Sequence, residues 1–491
     1  MKKLQNISDI RRFFHRNDMP IYFVSATPFN LLGMDEWVRR FTFINYIDCF
    51  DGAHPHVFIP SERSHEQFEG IEDITNYLLA HPEVEEYVRS HAPKGKKRGN
   101  AAFLFFDEKT EELCEKLGLE VVFPSADLRT RIDDKLMTTR IGNEAGVKSV
   151  PNALAPVKSW SDLRAVAEEN GLGDKLVVQT PFGDSGHTTF FISNQREYQK
   201  YADEIESEKE VKVMKRVRVR GSALEACVTK HGTIVGPLMT ELVGFKELTP
   251  YKGGWCGNEV FADAFPQKVR TYARKAAFKI GEALRKKKYR GYFEIDFLTD
   301  LETGDVYLGE INPRITGASS MTNLATFAHA DAPLFLFHLL EYMKVPYELD
   351  VEELNKRWAT SENIDSWSQL VIKHTEENVE LIRQAPKSGV WQLEDDGSVT
   401  FVRSQTHRRT VQRSDRAFFL RIAGEGDWFY EGADLGILVM PGRQMTDNFK
   451  LTSRSKKWIQ GIRDQYSARP PRGAEKETAA MVAESSHFKL L

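Results

Sequence analysis

Two neighbouring segments near the middle of the chain carry acidic side chains in a pattern suited to a metal ion. In the first, Glu294 and Asp296 alternate with apolar residues and so share one face of a predicted strand. After a turn rich in Asp, Thr and Gly, Glu310 and Asn312 share a face of a second predicted strand. Mg²⁺ is usually held by one or two carboxylates, with water and phosphate oxygens completing its shell. The hairpin therefore predicts a metal and nucleotide site.

The ligands that fit this site best are Asp296, Glu310 and Asn312. Arg314 follows directly and offers a planar fork suited to phosphate. An ordinary solvated hairpin face is the alternative, and it is disfavoured because these acids stand among apolar residues.

The elements that must position this hairpin follow an α/β order. Alternating short apolar strands and helical patterns predict a small parallel-sheet domain over residues 1–130. A second unit, 131–345, begins with a helix and contains the acidic hairpin, while 346–466 shows short strands separated by turns. The composition of 467–491 predicts a disordered tail.

A glycine-containing loop follows the strand that starts at Leu176. Its glycines free the backbone to approach a ligand, and its hydroxyl and main-chain N–H groups can donate to phosphate oxygens. The residues concerned are Gly183, Ser185, Gly186, His187, Thr188 and Thr189. His187 could donate to a phosphate or to a reaction intermediate, and an exposed loop histidine without a binding role is an equal alternative.

The composition excludes several classes of protein. The chain has 491 residues, 41% apolar, with 67 basic and 71 acidic side chains for a net charge of -4. This balance predicts neither nucleic-acid nor membrane binding. The four cysteines form no Cys-x-x-Cys pair, and no stretch of about eighteen apolar residues occurs. We therefore expect a reduced protein in the cytoplasm.

In its order of elements, the chain resembles the ATP-grasp superfamily, in its biotin-carboxylase-like branch, and is most similar to ATP-dependent carboxylate-amine ligases. The resemblance covers residues 1–345 and depends most on the Glu-x-Asn-x-Arg strand at 310–314. It implies a pre-ATP-grasp domain, an ATP-grasp domain of two subdomains that clasp ATP, and a β-rich accessory region. The lid subdomain would span about 150–220.

The resemblance also implies roles for individual residues. Glu310 and Arg314 would be catalytic, and two Mg²⁺ or Mn²⁺ ions would be bound by Asp296, Glu310 and Asn312. Glu294 competes with Asp296, but the fourteen-residue spacing to Glu310 favours Asp296. The residues implied to bind ATP are Lys135, Gln179, Gly183, Ser185, Gly186, His187, Met214, Lys215 and Val217.

One position departs from the family pattern. Members usually carry a lysine or arginine where Gln179 stands, and a neutral amide cannot supply that charge to a phosphate. Three outcomes are open: a nearby cation (Lys175, Lys212 or Lys215) compensates, nucleotide affinity is reduced, or catalysis has been lost.

The implied reaction forms an amide or peptide bond through an acyl phosphate, with release of ADP and phosphate. The alternatives are a biotin-carboxylase or carbamoyl-phosphate type of carboxylation and a nucleotide-binding sensor or scaffold. Carboxylation is disfavoured because the Val-Glu-His-Pro run of biotin carboxylases is missing after Arg314.

The sequence gives less direction on the second substrate. A small carboxylate and an amine are the implied partners, and Glu225, Glu241 and the loop 252–258 could face the acceptor. Surface acids and a tight turn around a packed Trp255 are the alternatives. The sequence leaves open whether the protein forms a homodimer.

Overall fold

The computed structural model describes residues 3–61, 68–95, 97–182 and 188–484. The predicted α/β class is confirmed: a parallel sheet forms the N-terminal domain, and antiparallel sheets form the remainder. In the described part of the chain, no helix has both the length and the apolar character needed to span a membrane.

The N-terminal domain is a five-stranded parallel sheet with helices packed on it. Its elements are α1 (Ile7–His15), β1 (Ile21–Ser25), β2 (Phe41–Asn45), β3 (Val57–Phe58), α2 (Ile71–Ala80), α3 (Pro82–Ser90), β4 (Gly99–Phe103), α4 (Glu108–Leu117) and β5 (Leu119–Val121). The strand order is β3-β2-β1-β4-β5. The central strand β1 is buried along its whole length, as expected for a parallel sheet covered on both faces.

Two helices lead from this domain into a small four-stranded subdomain, in the region predicted as the lid. These elements are α5 (Ala126–Asp133), α6 (Lys135–Ala145), β6 (Asn152–Ala155), α7 (Trp160–Glu169), β7 (Leu176–Gln179), β8 (Thr189–Ile192), α8 (Gln195–Gln199), α9 (Ala202–Ser207) and β9 (Val211–Lys215). The strand order β6-β9-β7-β8 is antiparallel throughout. The last strand of the subdomain, β9, therefore lies in its centre, beside β7.

The central part of the chain builds the sheet that carries the acidic hairpin. Its elements are β10 (Val219–Thr229), β11 (Gly232–Val243), β12 (Trp255–Val260), α10 (Gln267–Lys286), β13 (Gly291–Asp300), β14 (Val306–Asn312), α11 (Ser319–Asn323), α12 (Thr326–Ala330), α13 (Leu334–Tyr342) and α14 (Val351–Trp358). Helix α10 buries an alanine-rich face that includes Ala273, Ala276, Ala277 and Ile280. This face packs in one core with Phe293, Ile295 and Phe297, the apolar side of β13. The acids of β13 therefore lie on the opposite side of the sheet.

The C-terminal region is β-rich, as predicted, but most of its strands extend the central sheet. Its elements are β15 (Trp367–Lys373), β16 (Glu380–Gln384), β17 (Gly389–Leu393), β18 (Val399–Arg403), β19 (Arg416–Arg421), β20 (Trp428–Phe429), β21 (Asp434–Pro441), α15 (Ser453–Arg463), β22 (Ser467–Arg469) and α16 (Glu475–Glu484). The pairing of β12 with β15 joins both parts into one ten-stranded sheet, ordered β14-β13-β10-β11-β12-β15-β21-β19-β17-β18.

The prediction of a disordered tail from residue 467 is wrong for residues 467–484. Strand β22 pairs with β16, and the Arg469 guanidinium binds the Glu475 carboxylate through two hydrogen bonds of 2.8 Å. A polar composition without periodicity gives no sign of such a strand, because the strand is ordered by pairing with a partner far away in the sequence. Residues 485–491 lie outside the described part of the chain.

Candidate functional site

The acidic hairpin of β13 and β14 brings the predicted metal ligands together. In the antiparallel register, Asp296 is opposite Glu310 and Glu294 is opposite Asn312. The Asn312 amide donates hydrogen bonds of 3.2 Å to Glu294 Oε2 and to Asp296 Oδ2. Glu294 and Asn312 are buried, whereas Asp296 and Glu310 are partly accessible. Of the two acids on β13, Asp296 is thus the one that lies opposite Glu310 and borders the accessible space beside the hairpin, which we call the cleft.

Negative charge accumulates at this hairpin. Burial, and then the Glu310 carboxylate, raise the pKa of Asp296 to about 7. Burial and the Asp296 carboxylate raise the pKa of Glu294 well above its ordinary value, and burial with Asp296 does the same for Glu241 on β11. A nearby cation stabilises the charged form of carboxylates whose pKa is raised in this way. The donor set and its charge therefore fit a hard divalent cation.

The protein side chains alone do not complete a metal shell. Among the described residues, no group of three or more His, Cys, Asp or Glu side chains is arranged to hold a metal ion. Asp296, Glu310 and Asn312 provide two carboxylates and one amide, which matches a Mg²⁺ ion that takes its other ligands from water and phosphate. The Asn312 amide must turn its oxygen toward such an ion, because its NH₂ group faces both acids in this structure.

Lys135 joins the hairpin from another element. It is the first residue of α6, whose N-terminus is capped by Asp134 Oδ1, the acceptor of a 2.6 Å hydrogen bond from the Leu136 N–H. Lys135 Nζ donates to Glu310 Oε1 at 2.7 Å, and its side chain is only 8% exposed. The Ile311 N–H donates to Thr138 Oγ1 at 3.1 Å, which fixes α6 against β14. The predicted nucleotide lysine and the predicted metal acid are therefore in direct contact.

The predicted adenine linker lies at the end of β9 and just beyond it. The side chain of Met214 packs with those of Val150 and Val177, and Val217, Leu298 and Tyr307 lie against this small hydrophobic cluster. The Lys215 side chain is exposed, and its backbone N–H donates to the Pro151 carbonyl at 3.0 Å. Met214 and Val217 thus supply apolar surface, whereas Lys215 contributes its main chain.

Part of the predicted phosphate loop lies outside the described residues. This applies to Gly183, Ser185, Gly186 and His187. Gln179 is described: it ends β7, and its Nε2 donates to Thr189 Oγ1 at 3.2 Å.

Arg314 lies between the hairpin and the N-terminal domain. Its guanidinium carbon is 4.3 Å from the centre of the Phe105 ring, and its Nε is 3.7 Å from Asp133 Oδ2. Asp133 also accepts a 3.0 Å hydrogen bond from Arg129. No local pattern in the sequence marks Phe105 or Asp133 as site residues, because they reach Arg314 only when the N-terminal domain and α5 pack against the hairpin.

Glu225, a predicted acceptor-facing acid, has a different environment. Its side chain is fully buried and accepts hydrogen bonds from the hydroxyls of Tyr292, Thr316 and Ser319, the bond from Thr316 being 3.1 Å long. Thr316 lies in the loop that follows Arg314, and Ser319 is the first residue of α11, where that loop ends. Glu225 therefore anchors this loop instead of facing a substrate. Glu241 remains in the site, where its carboxylate lies across Gly221.

Glu225→Gln is expected to lower the free energy of unfolding by about 1–3 kcal/mol, because an amide cannot accept hydrogen bonds from all three hydroxyls. Chemical denaturation followed by circular dichroism measures this change. Glu144→Gln, which alters an exposed partner of Lys287, serves as the matched control and should change stability by less than about 0.5 kcal/mol. Equal stabilities for the two variants would contradict the anchoring role.

The loop 252–258 also borders the region beyond Arg314. Trp255, the first residue of β12, lies so close to Gly317 that a Cβ there would overlap its ring. Gln369 Nε2 donates to the Gly317 carbonyl at 2.7 Å and to Asn258 Oδ1 at 3.0 Å. The surroundings of the segment after Arg314 therefore consist of the Trp255 indole ring and the side-chain amides of Asn258 and Gln369.

Comparisons with known proteins agree with this architecture. No protein-family model matches the sequence, and no curated protein matches it significantly. The fold is similar to that of Campylobacter jejuni biotin carboxylase in a β,γ-ATP complex, with a TM-score of 0.61 and 13% identity over 95% of each chain. The biotin carboxylase domain dimer of Hydrogenobacter thermophilus 2-oxoglutarate carboxylase, in complex with MgADP, ADP and bicarbonate, has a TM-score of 0.59 and 11% identity over 96% of each chain.

A third similar structure is the Aspergillus clavatus carboxyaminoimidazole ribonucleotide synthase complexed with ATP. Its TM-score is 0.53 at 13% identity, over 91% of this chain and 98% of the synthase. Together with the parallel N-terminal sheet, the four-stranded subdomain and the acidic hairpin, these likenesses show that the chain has the ATP-grasp fold in its biotin-carboxylase-like form.

Proposed function

We propose that the protein is an ATP-dependent carboxylate-amine ligase that forms an amide or peptide bond. The observation that carries this proposal is the contact of Lys135 with Glu310 beside Asp296 and Asn312. It sets a cation and a divalent-metal donor set side by side, which is the arrangement that a nucleotide polyphosphate requires. The similar structures described with ATP or MgADP support the same use of this cleft.

In the proposed reaction, an oxygen of the substrate carboxylate attacks the terminal phosphorus of ATP, and the bond from that phosphorus to the bridging oxygen breaks. ADP leaves and an acyl phosphate forms. The amine nitrogen then attacks the carbonyl carbon, the carbon-oxygen bond to phosphate breaks, and the nitrogen loses a proton. Such chemistry depends on positioning and charge stabilisation.

Different residues of this chain would bind the base, bind the phosphates and stabilise the developing charge. Met214 and Val217 provide apolar contacts for the base, and Lys135 binds phosphate oxygens. Asp296, Glu310 and Asn312 would hold two Mg²⁺ or Mn²⁺ ions, which offset the phosphate charge when bound. The Arg314 guanidinium, held over Phe105, contacts the transferred phosphoryl group or the acyl phosphate.

The fold itself favours a second candidate, an ATP-dependent carboxylation, because one similar domain is described with bicarbonate. The local sequence weighs against it. The residues after Arg314 are Ile-Thr-Gly-Ala in place of Val-Glu-His-Pro. Thr316, Gly317 and Ala318 carry neither a carboxylate nor an imidazole, and the Thr316 hydroxyl is engaged with Glu225. The loop therefore lacks the carboxylate that biotin carboxylases place there.

Phosphate release from MgATP, screened over pools of amino acids and other small carboxylates and amines, tests the proposal. We expect ADP and phosphate to form only when a carboxylate and an amine are both present, with an amide detected by mass spectrometry. Release that needs bicarbonate and no amine would indicate carboxylation. ATP binding without phosphate release under any condition would indicate a sensor or scaffold.

A further inference from the structure

The strand that leads to the phosphate loop ends in a neutral side chain. Gln179 closes β7, directly before that loop, at the position where the family resemblance implies a phosphate-binding cation. Its amide donates to Thr189 on the neighbouring strand β8. Gln179 alone can therefore give a phosphate a hydrogen bond but no charge.

The other neighbour of Gln179 is a lysine. Strand β9 pairs with β7 on the side away from β8, and Lys212 is the register partner of Gln179. Directly opposed residues of antiparallel strands project from the same face, with Cβ atoms about 4.5–5.5 Å apart. A side chain from position 212 therefore reaches the same space as one from position 179.

The Lys212 side chain is buried without a charge partner. Lys212 is only 1% exposed, and no hydrogen bond or ion pair within the described ranges involves its ammonium group. Burial lowers the pKa of Lys212 to about 8; the Lys135 ammonium adds to this shift, and the Glu310 carboxylate opposes it. The register places Lys212 beside Gln179 on β7, and its side chain is close enough to Glu310 and Lys135 for both charges to act on it. A buried ammonium without a partner is costly, and an anionic ligand would offset that cost.

The two other lysines that could compensate for Gln179 are poorly placed. Lys175 and Lys215 are both exposed. Lys175 precedes β7, four residues before Gln179, which corresponds to about 13 Å along a strand. Lys215 lies opposite Leu176, at the end of the β7–β9 pair that is remote from Gln179.

We propose that Lys212 is the second phosphate-binding cation of the nucleotide site, so that β9 supplies the charge that Gln179 on β7 lacks. Lys135 and Lys212 would then bind the polyphosphate of ATP from two different elements, one in the helix α6 and one in the four-stranded subdomain. The inference rests on the nucleotide-binding part of the proposed function and not on the identity of the carboxylate or the amine.

Nucleotide binding tests this assignment without any turnover. In Lys212→Met, the dissociation constant for MgADP is expected to rise about 10- to 100-fold, because a charge-assisted contact is lost. Affinity for adenosine, measured by competition with a fluorescent ADP analogue, should change less than twofold. The matched control is Lys175→Met, which should bind MgADP as the wild type does. Unchanged MgADP affinity in Lys212→Met, or an equal loss of adenosine affinity, would overturn the proposal.

Two further measurements separate a binding role from a structural one. Without nucleotide, Lys212→Met should unfold at a higher temperature than the wild type, because a buried unpaired charge has been removed. A lower unfolding temperature would indicate that the ammonium stabilises the fold, against the proposal. In addition, the transposed variant Gln179→Lys with Lys212→Gln should recover MgADP affinity that Lys212→Gln loses. A transposed variant as weak as the single one would show that the two positions do not share a role.

These outcomes are independent of the ligase assignment. A wild-type protein that binds MgADP through Lys212 but releases no phosphate would retain this inference and overturn the proposed function. If the wild type has ligase activity and Lys212→Met binds MgADP as tightly as the wild type does, the proposed function would be retained and this inference overturned. If the wild type bound neither MgADP nor MgATP, both would be wrong.

Discussion

Glu310→Gln is expected to reduce ATP-dependent phosphate release by about 10²- to 10³-fold, the effect typical of losing a main electrostatic contact in an active site. Glutamine keeps the shape of Glu310 but removes the charge that faces Asp296 and accepts the 2.7 Å hydrogen bond from Lys135 Nζ. The loss should appear in kcat at saturating MgATP. Steady-state phosphate release, with the substrate pair found by screening, measures it.

The Glu310→Gln variant should remain folded, because the substitution relieves the repulsion between two neighbouring carboxylates. Its far-UV circular dichroism and cooperative thermal unfolding should match those of the wild type. Glu302→Gln, in the exposed turn between β13 and β14, is the control and should keep full activity. Wild-type turnover by Glu310→Gln would remove Glu310 from the proposed metal site.

The second large effect is expected for Arg314→Lys, with a fall in kcat of about 10- to 100-fold and little change in the dissociation constant for MgADP. Lysine retains the positive charge but loses the planar fork that binds a phosphoryl group through two hydrogen bonds. It also loses the stacking on Phe105, whose ring centre is 4.3 Å from the guanidinium carbon. Pre-steady-state formation of ADP, compared with equilibrium MgADP binding, separates the two quantities.

Arg290→Lys is a suitable control for this substitution. Arg290 is 53% exposed and forms a 3.0 Å ion pair with Glu341, away from the cleft. We expect wild-type kinetics for it, because lysine keeps the charge that faces Glu341 and this pair, which joins the residue before β13 to α13, includes no residue of the proposed site. If Arg314→Lys weakened MgADP binding as much as it lowered kcat, Arg314 would belong to ground-state nucleotide binding and not to the transferred phosphoryl group.

The acidic hairpin shows what alternation along a strand can predict. The side-chain period of two determines that Glu294 with Asp296, and Glu310 with Asn312, share faces, and the structure pairs these same residues across β13 and β14. Whether Glu294 or Asp296 is the metal ligand cannot be read from alternation along β13. It depends on register and burial, which leave Asp296 partly accessible opposite Glu310 and put Glu294 in the interior.

Non-local pairing accounts for the corrections. Short strands after residue 346 predicted a β-rich region, but only the contact of β12 with β15 makes it an extension of the central sheet. Glu225 looked like a candidate for substrate binding, yet the hydroxyls of Tyr292, Thr316 and Ser319 enclose its carboxylate. Neither contact leaves a signal in the local pattern, because the partners are far apart along the chain.

The amino-acid sequence is sufficient to predict the α/β class, the acidic hairpin and the helix that begins the second unit. These follow from local rules of periodicity, capping and side-chain chemistry. The tertiary structure alone decided that Lys212 lies beside Gln179, that Lys135 reaches Glu310 and that Arg314 packs on Phe105. The physical reason is that a sequence specifies which side chains share a face of one element, whereas the register and packing between elements determine which faces meet.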